Sequence, residues 1–207
     1  MSRAPTRHPG LNLGPSHQSA DDAASVEVFG FWVFMMSDAV VFGLLFATYA
    51  VMVGRTAGGP GPSELYDLKS VFIETLALLT SSMTFGIGAT MMKHGNRAGW
   101  LVFWLVASFA LAALFLGFEL HDFVDMVHKG GVPQRSGYLS AFWALVPLHG
   151  LHVTMACIWM GAILLQMAKY GLDDAVKTAV LRLGILWHFL DIVWIAIFTV
   201  VYVGGLA

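Results

Sequence analysis

Five runs of apolar residues, Val28 to Val53, Val71 to Met92, Trp100 to Leu120, Leu139 to Met167 and Leu183 to Val203, take up most of this chain. Each is long enough to cross a hydrocarbon core, which needs about 20 helical residues at about 1.5 Å rise apiece. The 207 residues are 57% hydrophobic and only 12% charged, with a mean hydropathy of +0.73. That balance excludes an ordinary soluble domain. The expected architecture is all-α, a polytopic membrane helical bundle with five transmembrane helices over residues 28–207. The segment 1–27, with Pro5, Pro9 and Pro15 and without the apolar core of a signal peptide, reads as a mobile cytoplasmic tail.

Five crossings place the two termini on opposite sides. Arg3, Arg7, Lys93, Arg97, Lys169, Lys177 and Arg182 fall on one side, against Arg55, Lys69, Lys129 and Arg135 on the other. The positive-inside bias therefore puts the N-terminus in the cytoplasm and the C-terminus outside. A formal net charge of -2 gives no support for nucleic-acid binding. Cys157 is the only cysteine, so an intramolecular disulfide and a thiolate metal cluster are both excluded, and the thiol reads as a small packing residue.

Between the spans, Gly54 to Asp67 carries Gly58, Gly59, Pro60, Gly61 and Pro62, which forbid a regular helix, and no phosphate-cradling pattern appears. His121 to Gly137 mixes acids, bases and Gly-Gly-Val-Pro, and reads as a solvated loop or a surface for a partner. Within the spans, Ala39, Gly43 and Ala47, and likewise Ser82 and Gly86, recur at the four-residue spacing that permits close helix approach. Phe31, Trp32, Tyr49, Trp100, Tyr138 and Tyr202 sit toward span ends, as interfacial anchors would. There is no internal repeat to suggest an inverted-repeat transporter.

The costly residues are Asp38, His149, His152, His188 and Asp191, all inside apolar runs. A charge at the bilayer centre costs roughly 2.5 to 3.5 kcal/mol on insertion scales, so such groups face other helices, a bound headgroup or a wet cavity. His149 and His152, like His188 and Asp191, are three residues apart and share a helix face. Counting about 1.5 Å per residue places Asp38 and His149 about 15 Å from opposite ends and Asp191 about 12 Å deep, so all five can meet near one level. Three readings compete. A metal or haem site lacks the Glu-x-x-His motifs of di-iron bundles. A proton relay needs carboxylates toward both surfaces, and only Glu74 and Glu119, near the external side, are candidates. A structural cluster, in which Asp38 and Asp191 accept hydrogen bonds from His and from Trp187 or Trp194, is the plain reading.

These residues lie in FGFWVFMMSDAVVFGLLFATYA, SSMTFG, RSGYLSAFWALVPLHGLHV and LWHFLDIVWIAIFTVVY. Together, and in this order, the four segments resemble subunit III of the haem-copper terminal oxidases over nearly the whole of Val28 to Gly205. Five spans, and Asp38 where cytochrome c oxidase members usually carry Glu, resemble the bo-type ubiquinol oxidase branch. A cytochrome c oxidase with a shortened subunit III is the alternative.

The resemblance implies a non-catalytic accessory subunit of a proton-translocating respiratory enzyme in the bacterial inner membrane. It implies no redox centre in this chain, with haem and copper in subunit I, which it contacts directly. Subunits II and IV complete the complex, and the subunit III helices form a V-shaped cleft for phospholipid. Asp38, His149, His152, His188 and Asp191 are then candidate lipid-binding or intramembrane polar residues. The charge count makes its own forecast: a reporter fused after Ala207 will be active only when the reporter functions outside the cytoplasm, and cytoplasmic activity would mean a misassigned span.

Overall fold

The computed structural model describes residues 18–95 and 98–206. Its helices are α1 (Gln18–Met52), the single turn α2 (Pro62–Leu65), α3 (Leu68–Gly95), α4 (Ala98–His128), α5 (Gly137–Tyr170), α6 (Asp174–Ile197) and the terminal turn α7 (Gly204–Leu206). A 3-10 turn, Pro133–Arg135, precedes α5, and a π-helical segment, Phe198–Val203, continues α6. Among the described residues there is no strand, and five helices are long and apolar enough to cross a membrane. Of the segment expected as a tail, residues 1–17 lie outside the described residues and 18–27 form the first turns of α1. The stretch read as a loop from His121 is helical to His128, so α4 runs two turns beyond its apolar run.

Local signals explain where the helices start and stop. The Ser136 hydroxyl accepts from Leu139 N at 3.1 Å and opens α5; the Asp173 carboxylate accepts from Val176 N at 2.7 Å and opens α6. Gly171, at φ 76°, ends α5 in the backbone region that a Cβ disfavours. Pro62 and Pro133 each occupy the first turn of their short helices, where no N–H is needed.

Helices α3, α4, α5 and α6 close a ring in which each packs on the next, and α1 lies outside it against α5 and α6. The contact stripe of α1 is narrow. Among the described side chains of this helix only Met35, Phe42 and Tyr49 are buried, seven residues apart and therefore on one edge, while Trp32, Val33, Val40, Leu44 and Val51 face outward. By contrast α3 buries Val71, Glu74, Thr75, Leu78, Ser81, Phe85 and Met92 in the ring.

Close helix approach occurs at glycines other than those the spacing indicated. A Cβ on Gly88 would lie 3.1 Å from Trp104 Cβ across α3 and α4, and one on Gly184 would lie 3.0 Å from the Phe85 ring across α6 and α3. Gly43 and Gly86 meet nothing within 4 Å, so their stripes are not packing seams within this chain. The aromatic belt also divides. Trp32 and Trp100 are exposed, but Tyr49, Tyr138 and Tyr202 turn inward. Tyr138 donates to Tyr66 at 2.5 Å, Tyr49 donates to the Val201 carbonyl at 3.3 Å, and the Tyr66 and Tyr202 rings meet edge to face at 4.8 Å. A phenol at this end of the bundle finds an acceptor inside the protein, which outweighs its preference for the interface. These tyrosines, with the Tyr138 N to Arg55 O bond at 3.3 Å, tie both loops to the π-helical end of α6.

Candidate functional site

Asp38 lies one turn beyond Met35 on α1 and faces α5. Its Oδ2 is 3.3 Å from His152 Nε2, and the two side chains are 20% and 26% exposed. The other ring nitrogen, Nδ1, lies 2.8 Å from the carbonyl of Leu148, four residues earlier in α5. A carbonyl only accepts, so Nδ1 carries a hydrogen. Nε2 is thereby the nitrogen that faces the Asp38 carboxyl. This contact joins α1 to α5, and Phe42 covers it from one side with its ring 5.4 Å from the imidazole.

His188 and Asp191 belong to a different contact. His188 Nδ1 is 2.8 Å from Ser82 Oγ on α3 and 3.7 Å from Asp191 Oδ2 on its own helix. The imidazole is half exposed, whereas Asp191 is 6% exposed and neither of its oxygens has a hydrogen-bond partner in the chain. His149 is fully buried and makes no hydrogen bond through either nitrogen. It is boxed by aromatic rings, stacked on Trp194 at 5.3 Å and edge-on to Phe115 and Phe42 at 6.1 and 6.5 Å.

The five residues expected at one level therefore form two separate pairs and a core imidazole. No hydrogen bond or ion pair joins the Asp38–His152 pair to the His188–Asp191 pair, or either of them to His149. The two tryptophans do not serve the carboxylates as the sequence suggested. Trp187 Nε1 donates to Ser81 Oγ at 3.0 Å and Trp194 Nε1 to Thr75 Oγ1 at 3.0 Å, both on α3. Adjacent Ser81 and Ser82 thus receive adjacent Trp187 and His188, which explains the WH and SS dipeptides by a single α3–α6 contact. Ser108 of α4 joins it by donating to the Ser81 carbonyl at 2.9 Å. Among the described residues, no group of three or more His, Cys, Asp or Glu is placed to hold a metal ion.

Two carboxyls that the sequence offered only as incomplete relay members are among the most buried polar groups. Glu74 is 1% and Glu119 3% exposed. The Glu119 carboxyl lies so tightly on α5 that a Cβ on Gly150 would come within 2.6 Å of its Oε2. That contact accounts for the glycine of LHGLHV.

The family described as cytochrome c oxidase subunit III matches residues 17–206. The chain belongs to this family. Among its curated members, the cytochrome bo(3) ubiquinol oxidase subunit 3 of Pseudomonas putida is 46% identical over 89% of this chain and 88% of its own length. That of Pseudomonas aeruginosa is 43% identical over 93% and 92%, and the quinol oxidase subunit 3 of Bacillus subtilis is 40% identical over 96% of each. If the contact of Asp38 with His152 fastens α1, Asp38→Ala and His152→Ala will be non-additive in thermal stability. A coupling of about 0.5 to 3 kcal/mol is expected in a double-mutant cycle. Additive losses would mean that the two side chains act separately.

Proposed function

We propose that this chain is subunit III of a bo-type ubiquinol oxidase of a bacterial inner membrane, an accessory subunit that stabilises the catalytic subunit I and holds phospholipid. The observation that carries the reading is similarity along nearly the whole chain to proteins named as quinol oxidase subunit 3, which matches in length as well as in sequence. In this reading haem and copper reside in subunit I, quinol is oxidised and oxygen reduced there, and subunits II and IV complete the complex. The N-terminus faces the cytoplasm and the C-terminus the periplasm.

The shape of the chain supports an accessory role in physical terms. An intramembrane helix held on one narrow stripe leaves most of its apolar surface for other partners, and α1 presents Trp32, Val33, Val40 and Leu44 in this way. Acyl chains or helices of subunit I are the occupants that such a surface accepts. The partly exposed Asp38–His152 pair lies on the rim of that face.

The test compares wild type, Asp38→Ala and Asp38→Glu in the purified complex by subunit retention, bound phospholipid, metal and haem content of the separated chain, and quinol oxidase rate in the first seconds. Removing one partner of the pair leaves the other unsatisfied at about 1 to 3 kcal/mol, so Asp38→Ala should lose subunit or lipid first and turnover later. Glu should restore retention. An intact Ala complex that keeps its lipid yet loses initial turnover would instead assign Asp38 to proton delivery, and haem or iron retained by the separated chain would overturn the accessory role.

A further inference from the structure

At the end of the bundle where α3 begins and α4 finishes, a narrow cavity of about 20 Å³ lies between them. Its deep wall includes Glu74 of α3 and Glu119 of α4; Asp67 and Asp122 stand at the mouth, and Tyr66 and Tyr202 form the side. One oxygen of Glu74 and one of Glu119 are buried without any hydrogen-bond partner, on residues 1% and 3% exposed. Among the described residues neither carboxyl has an ion pair, and two cations of the same end of the bundle are engaged with the outer carboxylates. Lys129 binds Asp125 at 2.7 Å, and His121 lies 3.5 Å from Asp122. Ser70 donates to the same Asp122 oxygen at 3.1 Å. Tyr66 accepts from Tyr138, which leaves its own O–H to donate elsewhere, and burial holds that phenol above the usual tyrosine range.

Three properties of this place go together. Burying a carboxylate with neither cation nor donor is very costly, so such a group keeps a proton or gains a small polar guest. The cavity exceeds the roughly 10–15 Å³ that one water requires, and its wall offers the two to four polar partners a bound water uses. Of the carboxylates that line it, Asp67 and Asp125 are exposed and Asp122 is partly so.

We propose that Glu74 and Glu119 form a hydrated proton-holding site, which exchanges its proton with the aqueous phase at this end of the bundle through Asp122. A proton arriving from water passes to an Asp122 oxygen, then across the bound water to Glu119 or Glu74, and returns by the same route. No electron transfer and no second reactant are involved. Gly150 sets the depth of the site, since any side chain there would strike the Glu119 carboxyl. His149, on the far side of that glycine, ends the hydrogen-bonded path, because aromatic rings surround it and neither nitrogen has a partner. The site is thus a dead-end store open to one surface, not a channel, and this inference stands whether or not the chain serves a quinol oxidase.

Infrared spectroscopy of the full-length chain in its native membrane, with the subunits that co-purify, tests the site. Expected are carboxylic-acid carbonyl bands that shift on transfer to heavy water, that Glu74→Gln and Glu119→Gln each diminish, and that exchange several-fold more slowly in Asp122→Asn. Glu74→Asp should move a band rather than remove it, which keeps the test decisive should a Gln variant fail to assemble. Bands unaffected by every variant would mean ionised carboxylates, as a bound sodium or potassium ion would produce. Bands that never exchange would mean a dry pair. Either result overturns the proposal.

Discussion

Everything in this structure turns on the need of a polar group in hydrocarbon for a partner within the protein. The helices are long and apolar enough to be stable alone in a bilayer, but apolar faces do not choose among neighbours there, because lipid is as apolar as leucine. Choice of neighbour comes from shape and from hydrogen bonds. Accordingly α6 is set against α3 by Trp187 with Ser81, His188 with Ser82 and Trp194 with Thr75, and α1 is set against α5 by Asp38 with His152.

The two kinds of tie differ in consequence. Those between α3 and α6 are neutral or nearly so, and are embedded in a seam that also holds Phe85 stacked on Trp187. Loss of one leaves the remainder. The tie of α1 is a single His–Asp contact on a helix with three buried side chains among its described ones, assisted at one end by Tyr49 with the Val201 carbonyl and at the other by Glu27 near Arg182 at 3.7 Å. The exposed Glu27–Arg182 pair adds little by itself. The first helix is therefore the element most readily displaced, and also the one with the most surface for lipid or another subunit.

How much of this the sequence disclosed follows from what a linear pattern encodes. The five spans were legible because hydropathy reports depth directly, and their ends shifted by only a few residues, except where α1 begins at Gln18 and α6 at Asp174, each more than two turns early, and where α4 continues through His121 to His128. Family membership was legible from four ordered segments. Counting residues gives an expected depth for Asp38, His149, His152, His188 and Asp191, but rotation about each helix axis is set by packing. Groups at one level therefore separated into α1–α5, α3–α6 and core environments. The small-residue spacing failed for the same reason at Gly43 and Gly86, while Gly88, Gly150 and Gly184, which meet Trp104, Glu119 and Phe85, carried no periodic signal. Glu74 and Glu119 were visible as carboxyls, but nothing in their spacing announced a shared cavity.

The central claim, that α1 is held through the contact of Asp38 with His152 Nε2, is read most directly from the nitrogen NMR signals of His152 in the chain labelled at histidine. The account predicts a hydrogen on Nδ1 in wild type and in Asp38→Asn alike, since Leu148 O fixes it, with only the Nε2 signal moving when the carboxyl becomes an amide. A His152 that carries its sole hydrogen on Nε2, with Nδ1 unprotonated and neither signal sensitive to Asp38→Asn, would contradict it.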